Sequence, residues 1–257
     1  MPLELHSQIH GTGKPLLILH GLFGSATNWR SMARLLGAGH EVHALDLRNH
    51  GASPWAEHMD YLTLAEDVRH YIAQHRLAPV ALMGHSMGGK TAMALALTHP
   101  ALVERLIVVD IAPRRYSDAL SDYAQAMAGI DLVSITSRGE AQRRLQALLP
   151  DPAVAPFLVQ NLVTRSTRFD WRINLAAIMA SMPDLVDFPP GLQERVFDGP
   201  TTAIVGSLSP YVPNGDLAPF RGMFPDVTLE MISGAAHWVH ADKPQAFFEA
   251  VQRALAR

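Results

Sequence analysis

Pro79-Val-Ala-Leu-Met-Gly-His-Ser-Met-Gly-Gly-Lys90 is the stretch on which the fold turns. Its apolar run over 80–83 reads as a buried strand. The run breaks at Gly84-His-Ser-Met-Gly88 and resumes as a helical pattern over 91–97. Strand, sharp turn and helix around G-x-S-x-G form a nucleophile elbow. A serine at the apex of so tight a turn adopts a strained backbone and comes close to its neighbours. Only hydrogen fits two residues before and after it, hence Gly84 and Gly88, and Gly89 lets the helix approach the strand. The turn raises the Ser86 hydroxyl above the sheet and aims the free N–H groups of a helix N-terminus at it. The competing reading is a glycine-rich link between strand and helix.

Outward from the elbow, strands and helices alternate. Residues 2–9 alternate in polarity and lead into Gly11-Thr-Gly-Lys-Pro15, which predicts an edge strand with a hairpin. The runs over 16–19 and 106–109 are apolar throughout, and that over 42–45 is apolar but for His43, as strands covered on both faces largely are. Ser25 or Thr27 is placed to cap a helix over 29–36, and residues 62–77 have helical spacing. The pattern predicts a mostly parallel sheet flanked by helices. From 113 to 197 no clear strand is visible. Ser137-Arg-Gly-Glu140 resembles a capping box for a helix through 149, residues 157–163 and 173–182 carry helical periodicity, and prolines punctuate the segment. Alternation then resumes with strands over 201–205 and 227–232 and a helix over 243–256. The expected organisation is a core of residues 1–112 and 197–257, with 113–196 as a helical cap over the elbow, inserted before the last two strands.

Composition agrees with a one-domain enzyme. The chain has 257 residues, 48% of them hydrophobic, and a formal net charge of −3, which leaves no electrostatic footprint for nucleic acid. Cysteine is absent, which excludes disulfides, thiolate metal sites and a cysteine nucleophile. No stretch approaches a membrane span, and the first residues lack a basic region followed by an apolar one. The expectation is a cytoplasmic protein, monomer or homodimer, with no cofactor, no metal, and no nucleic-acid or membrane partner.

A serine hydroxyl needs a base to become a nucleophile at neutral pH. Of thirteen histidines, His237 follows the last strand, where a loop reaches over the elbow, because sites in open α/β sheets lie beyond the strands' carboxyl ends. His20 and His85 adjoin glycines and are assigned to supporting turns; His50 is placed at the entrance. The base needs a carboxylate partner. Ser209 stands where an acid would usually follow the 201–205 strand, so the acid is assigned to Asp110, with Asp216 as the rival. Asp46 is expected to pair with Arg48. Two N–H donors must meet the developing oxyanion: Met87 supplies one and Leu22 the other, with Phe23 next. Trp238 and Trp171 are assigned to the substrate pocket, while Met127, Met179 and Met182 suit either a pliable acyl lining or the core packing of the insertion's helices. Arg114 and Arg115 offer either an anion-attracting pair or a solvated face.

These residues together resemble the α/β-hydrolase superfamily. Asp46-Leu-Arg-Asn-His-Gly-x-Ser53, Val109-Asp-Ile-Ala-Pro113, Trp171-Arg-x-Asn-Leu175, Ser209-Pro-Tyr-Val212 and Gly234-x-x-His-Trp-Val-His240 narrow it to the YbfF-type bacterial esterases and their mitochondrial abhydrolase relatives. The resemblance implies an acid after the earlier strand, matching Asp110, and makes Ser209 a fourth member of the site. It also implies hydrolysis of carboxylic esters and acyl thioesters, acyl-CoA included. Where that group carries Gly-Gly-Asn, this chain has Gly206-Ser-Leu. A serine nucleophile excludes epoxide hydrolases and haloalkane dehalogenases. It leaves C–C hydrolases and perhydrolases, and, in a different class, non-catalytic ligand receptors built on the same fold.

Overall fold

A computed structural model describes residues 1–166 and 168–257. In chain order the elements are β1 (Ser7–His10), β2 (Lys14–Leu19), α1 (Arg30–Leu36), β3 (His40–Leu45), α2 (Tyr61–His75), β4 (Val80–His85), α3 (Met87–Thr98) and β5 (Val103–Val109). The inserted segment holds α4 (Leu120–Ala128), α5 (Arg138–Leu148), α6 (Ala155–Val159), β6 (Leu162–Arg165), β7 (Arg168–Trp171), α7 (Leu175–Ala180) and α8 (Met182–Leu185). The core resumes with β8 (Thr201–Gly206), α9 (Ala218–Arg221), β9 (Val227–Ile232), α10 (Val239–Asp242) and α11 (Pro244–Ala256). Seven strands form one sheet in the order β1-β3-β2-β4-β5-β8-β9, parallel except for β1.

Successive residues of a strand face opposite sides, so each central strand serves two cores. Leu16, Ile18, Met83, Ile107 and Ile204 pack with Trp29, Phe247 and Val251 of the α1/α11 side. Leu17, Leu19, Leu82 and Val108 pack with Leu64, Val68 and Met93 of the α2/α3 side, and this cluster continues into the insertion. That double covering explains why these strands are apolar without alternation. The chain leaves β2 for β3 and returns to β4 on the other side of β2. The loops after β2 and β4 therefore part at a topological switch point, where a crevice opens.

Three expectations fail. The first strand makes no hairpin with the second: β1 pairs antiparallel with β3, His10 opposite Val42. Gly11, at φ +74°, passes so close to Gly37 that a Cβ there would overlap its carbonyl, which carries the chain past α1's end. The insertion is not free of strands, since β6 and β7 pair antiparallel, Leu162 opposite Trp171; helical periodicity over 157–163 is real only as far as Val159. Asp46 does not pair with Arg48. Arg48 makes a bidentate bond to buried Asp67 of α2, at 2.6 and 2.7 Å, while Asp46 accepts from the N–H groups of Ala26 (2.7 Å) and Ala52 (2.9 Å) and from His6. Ser137 does cap α5, accepting from Glu140 N–H at 3.2 Å.

Candidate active site

Ser86 occupies φ 53°, ψ −117° between β4 and α3, a region that a side chain enters only under constraint from its surroundings. Its N–H donates to Val109 O at 3.0 Å and its carbonyl accepts Lys90 N–H at 3.0 Å, so both flanks of the turn are tied down. A Cβ on Gly84 would overlap Gly88 O, and one on Gly88 would overlap Leu19 O and come within 2.6 Å of His20 O. The glycines are thus required by neighbouring backbone. The hydroxyl lies at a cavity of about 330 Å3 that it shares with His237 and Trp238.

Asp110 follows β5 at φ 52° and is fully buried. One carboxylate oxygen accepts Gly206 N–H at 3.0 Å; the other accepts His237 Nδ1–H at 2.7 Å and the Ser209 hydroxyl in a short hydrogen bond. Ser209 in turn accepts Tyr211 N–H at 3.2 Å. Gly206 also makes room for the histidine loop, since a Cβ there would overlap the backbone oxygen of Ala236. Leu208 N–H bonds Ala235 O at 2.9 Å and Asp242 accepts Ala236 N–H at 2.8 Å, fixing the loop that presents His237. Asp216, the rival acid, is exposed, and among the described residues its carboxylate accepts only Ala218 N–H.

Several histidines crowd the same region, and their environments separate them. Burial pushes His85 well below the ordinary histidine pKa, reinforced by the neighbouring His237; its Nε2–H donates to His237 O at 2.9 Å. Burial likewise lowers His50 to about 3 and His240 to about 4, and lowers His20. Among these five only His237 has a carboxylate hydrogen bond and cavity access together. Tyr211 stacks on its ring at 4.1 Å between centroids. Its Nδ1 is engaged by Asp110, and among the described residues no hydrogen bond joins its Nε2 to Ser86.

The loop after β2 is held from below and above. His20 Nδ1–H donates to Gly21 O at 2.8 Å and its Nε2 accepts Leu47 N–H at 3.0 Å. His50 is wholly buried beneath this loop, not at the entrance. Its Nδ1–H donates to Arg48 O (2.9 Å) and its Nε2 accepts Phe23 N–H (3.2 Å). Because Phe23 N–H is so engaged, Leu22 and Met87 remain the two candidate oxyanion donors. From the insertion, Asn161 donates to Phe23 O at 2.7 Å.

Of the proposed pocket residues, Trp238 and Phe23 line the cavity. Trp171 does not: it is buried inside the insertion, donating from Nε1 to Met127 O at 3.1 Å. Met127 and Met182 are core, Met179 is partly exposed, and none of the three lines a cavity at Ser86. Arg115 pairs with Asp187 at 2.8 Å and Arg114 lies over Tyr116, donating to Tyr211 O. The lining that the sequence reading missed is Leu120, Tyr123 and Phe157 from the insertion and Tyr211 from the core. Apolar side chains on amphipathic segments were visible, but which face met the cavity was not. Among the described residues no cluster of three or more His, Asp or Glu could hold a metal ion, and no helix is long and apolar enough to cross a membrane.

The family model for the alpha/beta hydrolase fold matches residues 14–244. The chain is 38% identical to the sn-1-specific diacylglycerol lipase ABHD11 of Danio rerio, over 94% of this chain and 78% of that protein. It is 33% identical to Esterase YbfF of Escherichia coli, over 97% and 96%. Among solved structures, a marine microorganism esterase superposes with a TM-score of 0.93 at 35% identity, covering 98% of this chain and 99% of that one.

Proposed function

The chain belongs to the α/β-hydrolase family and is a hydrolase acting on ester bonds, and from that premise we propose that it works through an acyl-enzyme on Ser86. The observation that carries this reading is the 2.7 Å bond from His237 Nδ1–H to buried Asp110, beside the cavity that Ser86 shares. Ser86 Oγ attacks the acyl carbon while its proton passes to His237 Nε2. Asp110 holds the tautomer with Nε2 free and offsets the imidazolium charge. The N–H groups of Leu22 and Met87 receive the oxyanion. The bond to the leaving oxygen then breaks, and His237 returns its proton to that oxygen. Water repeats the sequence on the acyl-enzyme, releasing the acid and restoring the Ser86 hydroxyl. Ser209 and Gly206 N–H hold the Asp110 carboxylate in place.

The same machinery accepts a thiolate as leaving group, so acyl thioesters, acyl-CoA among them, are included in the proposed range. The names of the lipase and esterase relatives support an ester over a C–C bond. A fluorophosphonate is expected to label Ser86 in the wild type and nothing in Ser86→Ala. That variant should lose about 10⁴- to 10⁶-fold in kcat on nitrophenyl esters while keeping its fold. Labelling of another serine overturns the assignment. An acyl-CoA series run beside the esters decides whether thioesters belong to the range.

A further inference from the structure

Two cavities meet at Ser86, and they differ in size, wall and company. The larger, of about 330 Å3, holds His237. The smaller, of about 30 Å3, holds Met87 but no histidine, and Leu22 borders both. In the proposed mechanism His237 protonates the departing oxygen, so the alcohol must lie on the histidine's side, and with the carbonyl oxygen at Leu22 and Met87 the acyl substituent is directed away from it. On that reading of the reaction, we propose that the smaller cavity is the acyl site and the larger one the alcohol site. The preferred substrates are then esters of acetic or propionic acid with bulky alcohols.

On one and the same measure the smaller cavity has about a tenth of the larger one's volume, which limits the acyl group it can take. The walls keep it so. Tyr116 OH donates to Tyr211 O at 2.8 Å and accepts Ala112 N–H at 2.9 Å. Tyr61 OH donates to Leu185 O at 2.6 Å, and the Lys90 ammonium donates to Val186 O and Asp187 O at 3.1 and 2.7 Å. Opening this cavity would break hydrogen bonds to backbone on several sides. The larger cavity is walled differently: the side chains of Tyr123, Phe157 and Trp238 make no hydrogen bond among the described residues, and Phe157 and Trp238 pack ring to ring at 5.6 Å. Beyond that pair lies an outer groove of about 600 Å3, lined on its far side by α1 and bordered by the same two rings. A long alcohol can therefore extend outward past Phe157, whereas a long acyl chain outgrows the smaller cavity.

The test is kcat/KM for nitrophenyl acetate, propionate, butyrate, hexanoate and octanoate, beside acetates of methyl and naphthylmethyl alcohols. The expected profile falls at least about 10-fold from propionate to octanoate, since a cavity of fixed size rejects surplus methylenes on this scale. The naphthylmethyl acetate should exceed the methyl one. Leu185→Ala, at a residue lining only the smaller cavity, should move the optimum to longer acyl chains, and Leu185→Phe should sharpen the preference for acetate. Phe157→Ala should alter the alcohol profile and leave the acyl profile alone. Octanoate cleaved as well as acetate by the wild type, or an acyl profile that responds to Phe157→Ala and not to Leu185, overturns the assignment whatever the variants' stability. If those results come with Ser86 labelled by fluorophosphonate, only the cavity assignment fails. No cleavage and no labelling sink the acyl-enzyme reading and this inference together.

Discussion

Asp110 has both carboxylate oxygens bonded, from Gly206 N–H, His237 and Ser209, whereas Tyr123 and Phe157, which line the cavity from the insertion, are placed by apolar packing. The strand-end loops and the inserted segment thus build one cavity by two kinds of force. Directional bonds fix atoms to a few tenths of an ångström, which proton transfer needs. Apolar contact fixes only shape, which a substrate can share. The insertion joins the directional network at scattered points, among them Asn161 on Phe23 O, Asn174 N–H on Asn49 O at 2.9 Å, Tyr116 on Tyr211 O, and the 185–187 segment on Tyr61 and Lys90. Asn161 ties it to the loop after β2 and Lys90 to the elbow helix.

If the contrast is right, damage to the directional side is costly to chemistry. Asp110→Asn should lower kcat by about 10⁴ without unfolding the chain, through the wrong tautomer and the lost charge. Steady-state rates on a nitrophenyl ester check this, with Asp216→Asn as the control expected near wild type. A crippled Asp216→Asn beside a mild Asp110→Asn would break the comparison at its root.

Acid should act on the same side. His50 and His240 are held neutral by burial, with pKa values of about 3 and 4 against 6.5 when free, and His85 is lowered in the same direction. Below pH 6.5 the unfolded chain binds protons that the folded chain refuses, so stability falls as pH falls, down to the folded values. At pH 5 the first two contribute a loss of about 2 kcal/mol each, at ~1.4 kcal/mol per pH unit below the free value. Denaturant midpoints should be flat on the histidines' account above pH 7 and drop steadily from 6.5 to 5; an unchanged midpoint at pH 5 contradicts it.

Lys90 sharpens the comparison from the other side. It is buried in the elbow helix, burial depresses its pKa to about 7, and it spends its donors on the end of the insertion. Lys90→Met leaves two carbonyls without that donor, at about 1–3 kcal/mol in total stability. Limited proteolysis should then cut within residues 113–196 sooner than in the wild type, with the core fragments persisting. The smallest effect belongs to Ser209→Ala. Gly206 N–H and His237 still hold Asp110, so kcat should fall roughly 10-fold, the equivalent of ~1.4 kcal/mol. A loss as large as that of Asp110→Asn would make the hydroxyl a full partner in the chemistry.

The chain's own order of residues determined the elbow, because Gly84 and Gly88 answer a steric demand made by residues only a few positions away. It likewise determined the parallel sheet, since strands covered on both faces read as mostly apolar runs without alternation. Asp110 was legible for a related reason: a serine at position 209 left the preceding strand end as the place for a carboxylate. Elsewhere the sequence named candidates without addresses. Trp171 declared that it would be buried but not that Met127 O would take its N–H, deep in the insertion. Strands as short as β6 and β7 carry too few apolar positions to show a period. Arg48 had one carboxylate in sight at Asp46, and Asp67, its true partner on a helix nineteen residues on, became visible only when α2 packed against the sheet. The division of labour between the two cavities is of this second kind. Their volumes, their walls and the side on which His237 stands are set by segments distant in the chain, and distance along the chain carries no information about distance in space until the core has closed.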